Sequence, residues 1–142
     1  MELIQAHNSV VQSIQDKTGI SNVKYLGFSS TPGQGDLAYV KLESVEDGQN
    51  QAWSIVIYRV VILLNGQDYE SLNNSAHSMA DLVMAGYRLQ ARQCLPVGIN
   101  LKLSSPIAIT DPIGFTEDDI YSTAANLQIG LAFELTALVP FT

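Results

Sequence analysis

The chain has 142 residues, of which 46% are hydrophobic and only 15% are charged. This length suits one hydrophobic core, so we expect residues 1–142 to form a single soluble domain. Such domains usually carry about 25% charged residues, and we therefore expect a partner or a subunit interface to cover part of this surface. The net charge of −7 disfavours nonspecific binding to nucleic acid and to anionic membranes.

Cysteine usage and hydropathy indicate the compartment. Cys94 is the only cysteine, so no disulfide can form within the chain, and we expect a reducing compartment. Residues 1–7 lack a basic segment followed by an unbroken apolar run, so no signal peptide is predicted. The longest apolar segment, 55–64, is shorter than the roughly 18 residues of a transmembrane helix, and no membrane contact is expected.

The first third of the chain predicts a helix followed by short strands. Apolar side chains and His7 recur at helical spacing over residues 2–17, and Gly19 suits the C-terminal cap of this helix. A strand at 23–28, a loop at 29–36, a second strand at 37–42 and a polar turn at 44–51 are then predicted.

Residues 52–64 and 126–139 predict the two clearest strands. The first segment is rich in β-branched residues and is apolar at both alternating sets of positions, so we expect both of its faces to be covered. The second segment alternates apolar residues with small or polar ones, which is the pattern of a strand with one buried face.

A second helix is predicted between these two strands. Asp68 can cap its N terminus, and an apolar stripe continues to about Gly86. A strand at 97–103 and a long loop at 104–119, which contains two prolines and a glycine, complete the order. This order predicts an α+β fold with a mainly antiparallel β-sheet and two principal helices packed on one face.

Few side chains offer recognisable chemistry. His7 and His77 are the only histidines, and neither has a second His or Cys at ligand spacing. We expect His7 to be packed or half-exposed, and His77 to lie on the surface or at an interface. Cys94 has no catalytic signature around it and is expected to be a buried small residue. We therefore predict no catalytic, metal-binding or cofactor-binding residue, and no cofactor.

Charged and glycine-rich segments leave some alternatives open. Residues 32–35 contain a lone Gly-x-Gly, which favours a turn over a phosphate-binding loop. Residues 117–119 form the densest acidic run, which binds a hard cation, begins a short helix capped by Thr116, or is a solvated loop. The EF-hand spacing is absent, which favours the capped helix or the loop. Among the scattered basic residues, Arg88 and Arg92 lie four apart and favour an ion pair or an interface contact.

Five segments that together cover most of the chain show a familiar order. They are the N-terminal helix, the central strand with Trp53 at its start, the helical block Tyr69–Gly86, the passage Ala91–Ile99, and the terminal strand with its apolar-aromatic end, Phe133–Phe141. This order resembles the tail terminator (tail-completion) proteins of tailed bacteriophages. The resemblance is to the Mu-like family of contractile tails in particular, and more distantly to lambda-type terminators.

The resemblance implies a structural virion protein and not an enzyme. Its members form a hexameric ring that ends tail polymerisation and contacts the tail tube protein, the tail sheath protein and the neck or connector protein. The chain would be made in the host cytoplasm and would lie at the head-proximal end of the virion tail. DNA would pass through the ring without specific binding. The acidic composition suits a repulsive lumen, for which the candidates are Glu43, Glu46, Asp47 and residues 117–119.

Other functions remain as alternatives to the terminator. The nearest is a neck adaptor or a baseplate subunit of the same machine. A small metal-dependent hydrolase that uses the acidic run 117–119 is a further alternative, and a ligand-binding α+β domain with an apolar pocket is another.

Overall fold

The structure is a computed structural model that describes residues 3–25, 36–47, 53–66, 68–88, 94–95, 99–111, 113–116 and 125–140. Within these ranges it contains two α-helices, α1 (Leu3–Thr18) and α2 (Tyr69–Tyr87). The strands are β1 (Val23–Tyr25), β2 (Leu37–Asp47), β3 (Trp53–Gly66), β4 (Cys94–Leu95), β5 (Ile99–Leu103), β6 (Ala108–Ile109), β7 (Ile113–Thr116) and β8 (Ala125–Pro140).

All of these strands belong to one sheet, in the order β1-β2-β3-β8-β5-β4, and β6 and β7 also pair with β8. β1 and β2 are parallel, and every other described pair is antiparallel. Both helices pack against the same face of this sheet. The predicted α+β fold with a mainly antiparallel sheet is therefore confirmed.

The ladder between β3 and β8 forms the centre of the sheet. It runs from the pair Trp53–Pro140 to the pair Gly66–Leu127 without a shift in register. Because both strands are long and rich in apolar residues, each residue of β3 has a paired residue on β8 with which its side chain can pack. The two strands that the sequence predicts most clearly are thus neighbours in the centre of the sheet.

The hairpin formed by β2 and β3 is longer than the sequence predicts. The predicted strand 37–42 continues to Asp47, through the beginning of the segment predicted as a polar turn. A shift in register between Leu42 and Ser44 marks a β-bulge in this stretch. The polar residues remain in strand conformation because β3 lies beside them and pairs with their backbone groups.

The prediction of a loop at 104–119 is wrong over much of the described part of that segment. β6 and β7 both pair with β8, on the edge that does not face β3. Hydroxyl groups complete this edge, since the Gly130 amide donates to Thr110 Oγ1 at 2.9 Å and the Glu134 amide donates to Ser105 Oγ at 2.7 Å. An interrupted strand forms here because the unpaired backbone groups of β8 need partners.

Two predicted helix caps are confirmed. Gly19 has a φ of +75°, which glycine adopts at little cost, and its amide donates to the Gln15 carbonyl at 2.9 Å. The Asp68 carboxylate accepts from the Ser71 amide at 3.3 Å and from the Ser71 hydroxyl at 2.9 Å. These bonds fix where α1 ends and where α2 begins.

The core lies between the helices and the sheet face that they cover, which we call the inner face. Side chains alternate along β3 and β8, and one set from each strand points to the inner face and is buried. The largest fully buried side chains in the described part of the chain are Tyr58, Tyr87, Ile14, Ile62, Leu64, Leu131, Leu135, Val10, Val40, Val56 and Val60.

The two helices meet near their C-terminal ends. The hydroxyl groups of Ser13 and Tyr87 are 2.7 Å apart and form a buried hydrogen bond between α1 and α2. Gly86 permits this approach, because a Cβ atom at that position would lie 3.1 Å from Lys17 Cδ. No helix in the described part of the chain is long and apolar enough to cross a membrane.

His7 projects from α1 towards the sheet and is buried, which is the first of the two placements that the sequence left open. Its ring centroid is 6.1 Å from that of Tyr58, with the rings tilted at 49°. Burial lowers the pKa of His7 below its ordinary value of 6.5, because a charged imidazolium loses solvation there.

We expect His7 to make the fold sensitive to mild acid. Its pKa is lower in the folded protein than in the unfolded chain, so the unfolded chain gains protons first as the pH falls below 6.5. The free energy of unfolding should then decrease below that pH. In urea titrations from pH 7.5 to 5, His7→Gln should flatten this decrease. His77→Gln, on the exposed side of α2, is the control, and an equal flattening in both variants would contradict the prediction.

Candidate functional site

The sheet face opposite the helices, which we call the outer face, is apolar but only partly covered. Along β3 it presents Ile55, Ile57, Val61 and Leu63, which are all half-buried, with Trp53 and Arg59 exposed among them. The sequence predicts that both faces of this strand are covered. Within one chain the helices cover the inner face alone, so the outer face retains apolar surface that a partner can bury.

Arg59 lies in the centre of the outer face. In the register of the sheet it stands opposite Lys41 on β2 and Glu134 on β8. In the described part of the chain the one side-chain salt bridge joins Lys41 to Glu43, at 3.9 Å. The exposed Arg59 guanidinium therefore faces Glu134 across the ladder without forming a salt bridge to it.

A shallow hollow of about 200 Å³ opens beside Arg59, and we call it the outer hollow. β3, β8 and the segment between β5 and β6 supply its walls. Its lining includes Arg59, Ser105, Pro106, Ala108, Ala132 and Glu134. The hollow thus combines the Arg59 guanidinium with the Glu134 carboxylate, a hydroxyl and small side chains, and its guanidinium can bind a carboxylate of a partner.

The distal part of β2, residues 42–47, forms a second distinctive surface, which we call the acidic edge. Glu43, Glu46 and Asp47 are all exposed there. Leu42 is 45% exposed and Val45 is 42% exposed, so the same six residues also carry apolar surface. β1 pairs only with residues 38–40 of β2, and no other described strand pairs with the acidic edge on the side away from β3.

The acidic edge contains three of the residues that the sequence suggests for a lumen. Glu43, Glu46 and Asp47 lie close together on one strand, where their charges are exposed. The other candidates, residues 117–119, lie outside the described residues. Whether any of these carboxylates faces a channel stays a prediction.

Of the remaining residues singled out in the sequence, the structure describes the side chains of His77 and Arg88. His77 is exposed on α2, where its Nδ1 lies 2.8 Å from the Asn73 carbonyl oxygen. Arg88 is exposed. Residues 32–35, Arg92 and the side chain of Cys94 lie outside the described part of the structure, so the predictions made for them stay predictions.

Two further observations concern chemistry in the described ranges. They contain no group of three or more His, Cys, Asp or Glu residues that could hold a metal ion. The Ser54 hydroxyl is buried without a hydrogen-bond partner, whereas a nucleophilic serine needs a base within hydrogen-bonding reach.

No protein-family model matches the chain, and no curated protein sequence is significantly similar to it. One solved structure, described as the virion of a native gene transfer agent particle, contains a chain that aligns with this one. The alignment covers 88% of this chain and 84% of the other, at 14% identity and a TM-score of 0.35. A TM-score of this size does not establish a common fold, and no functional conclusion follows from it.

Sequence reasoning did not identify the outer hollow. The available signal was Arg59, a charged residue within an otherwise apolar strand. That signal shows that one position of the strand needs solvent or a partner. It does not show which residues of β8 and of the segment after β5 stand beside it, because those contacts depend on the pairing of strands that are distant in the chain.

Proposed function

We propose that this chain is a structural subunit of a phage tail, and specifically the tail terminator at the head-proximal end of the tail. In this role it forms a hexameric ring on the last ring of the tail tube. The ring ends tube polymerisation, contacts the sheath where the tail is contractile, and presents a surface to the neck. DNA passes through it without specific binding, and the chain itself carries out no catalysis.

The observation that carries the proposal is the outer face of the sheet. The central strand β3 bears apolar side chains on both faces, while the helices cover one. A subunit that buries its second face against neighbours accounts for this pattern and for the low content of charged residues. The resemblance of the chain to tail terminators then specifies which assembly it belongs to.

The experiment that tests the proposal removes the gene from the phage or phage-like particle that encodes it, and measures tails by electron microscopy. Without a terminator we expect tubes of variable and excessive length that do not join heads. Supplying the chain from a plasmid should restore a uniform length. Labelled chain should then be found at the head-proximal end of the tail.

The same experiment separates the alternatives. Loss of a neck adaptor should leave tails of normal length that are not attached to heads, and loss of a baseplate subunit should leave few or no tails. If particles form normally and contain none of this protein, the proposal of a tail subunit is wrong. Residues 117–119, which the alternative hydrolase would use, lie outside the described residues, so that alternative stays a prediction.

A further inference from the structure

We infer that the outer hollow of one subunit binds the acidic edge of a second copy of this chain. This inference deepens the proposed function, because it assigns the two surfaces through which neighbouring subunits of a ring would meet. It rests on the charges of the two surfaces, on their apolar side chains and on their fixed places in the sheet.

The outer face concentrates positive charge in an acidic protein. That positive charge lies beside the hollow, where Arg59 and Lys102 project next to Glu134, whereas Lys41 forms a salt bridge with Glu43, and Glu46 lies further along the face. Lys102 stands opposite Thr136, two positions along β8 from Glu134. Arg59 and Lys102 therefore flank a single carboxylate, and the region around the hollow has a net positive charge that attracts an anionic partner.

The acidic edge has the complementary composition. Glu46 and Asp47 offer exposed carboxylates, and Glu43 offers a third that lies 3.9 Å from the Lys41 ammonium. Leu42 and Val45 are exposed and can pack on Ala108 and Ala132 in the hollow. Arg59 is suited to this contact, because a guanidinium binds a carboxylate through two parallel hydrogen bonds and tolerates burial at an interface better than an ammonium does.

The sheet holds the two surfaces of one subunit in fixed places. The acidic edge pairs with residues 54–58 of β3, whereas the hollow lies beside Arg59 and extends across β8 to Ala108. Arg59 is one strand spacing from β2, and in the described part of the chain it forms no salt bridge to the acidic edge. We therefore assign the partner carboxylates in the hollow to another copy.

A contact between two different surfaces of the same chain repeats from copy to copy. Such head-to-tail contacts produce a closed ring when the rotation between neighbours closes, whereas a contact between two identical surfaces stops at a dimer. The geometry of the inferred contact is therefore the type that a ring requires.

Disulfide trapping tests this contact even where association is weak. In a Cys94→Ser background, one preparation carries Glu46→Cys and a second, distinguished by a mass tag, carries Ala108→Cys at the wall of the hollow. After mixing at high concentration and mild oxidation, mass spectrometry should detect the mixed disulfide dimer. Ser75→Cys, on the exposed side of α2, replaces Ala108→Cys in the control mixture and should give much less.

Charge reversal tests whether Arg59 carries the contact. Adding Arg59→Glu to the Ala108→Cys partner should lower the yield of the mixed dimer at least about tenfold, since like charges then oppose each other. Adding Asp47→Lys and Glu43→Lys to the Glu46→Cys partner should restore most of that yield. Thermal unfolding should show that each variant is folded, and Arg59→Gln provides a milder substitution if Arg59→Glu is not.

The outcomes distinguish this inference from the proposed function. A mixed-dimer yield no higher than in the Ser75→Cys control, or no response to Arg59→Glu, would overturn the inference. That result would leave the proposed place of the chain in the tail untouched, because the gene deletion and the labelling of tails test that place separately. Conversely, efficient trapping by a protein that never enters tails would confirm the contact and refute the tail terminator.

Discussion

Leu131→Ala is expected to lower the free energy of unfolding by about 2–5 kcal/mol, the usual cost of truncating a fully buried leucine. Leu131 points to the inner face of β8 and has no exposed surface. Leu138, on the outer face of the same strand, is 39% exposed. Leu138→Ala should cost less than about 1 kcal/mol, because no full cavity forms at an exposed position. Urea titrations of both variants measure this difference.

This pair tests the assignment of the two faces of the sheet. Both substitutions remove the same atoms from one strand, so β-propensity and strand length are matched. A similar loss of stability in the two variants would show that the outer face is packed within the subunit. That result would also remove the reason for expecting a neighbouring subunit to cover it.

Tyr87 is expected to make the fold unstable in alkali. Burial raises the pKa of Tyr87 from 10.0 to about 12; the hydrogen bond with Ser13 opposes this shift, and the Asp16 charge adds to it. The unfolded chain therefore loses the tyrosine proton at a lower pH than the folded protein does. The stability that this group contributes is fully present below pH 10 and is lost as the pH rises towards 12, by roughly 2–3 kcal/mol.

Tyr87→Phe isolates this effect from that of other groups that titrate in the same range. The free energy of unfolding of the variant should fall less steeply than that of the native sequence between pH 10 and 12. At neutral pH the variant should itself be less stable by about 1–2 kcal/mol, because the buried Ser13 hydroxyl loses its partner. Ser13→Ala combined with Tyr87→Phe should cost less than the sum of the single substitutions. Parallel slopes in alkali would contradict the prediction.

The two helices and the two central strands could be predicted from the sequence because their signals are local. Asp68 and Gly19 mark helix ends through bonds to residues three or four positions away. Alternation along residues 126–139 identifies β8 because every second side chain of a strand points to the same face. The α+β class follows from the order of such elements.

The segments at 44–47 and 104–119 could not be predicted in the same way. Both are polar or contain proline and glycine, so their own composition favours turns. They form strands where β3 or β8 lies alongside and offers backbone partners, as in the pairing of Ala108 with Ala132. Their structure thus depends on residues far away in the chain.

The sequence alone determined that this is one acidic α+β chain with little charged surface, two capped helices and a central strand that is apolar on both faces. Only the tertiary structure decided that the helices cover one of those faces, and that Arg59 lies on the other beside a hollow. The reason is physical: composition and periodicity record what each segment prefers, whereas the neighbours of a side chain across a sheet are set by strand order and register. The proposed assembly surfaces therefore depend on strand order and register.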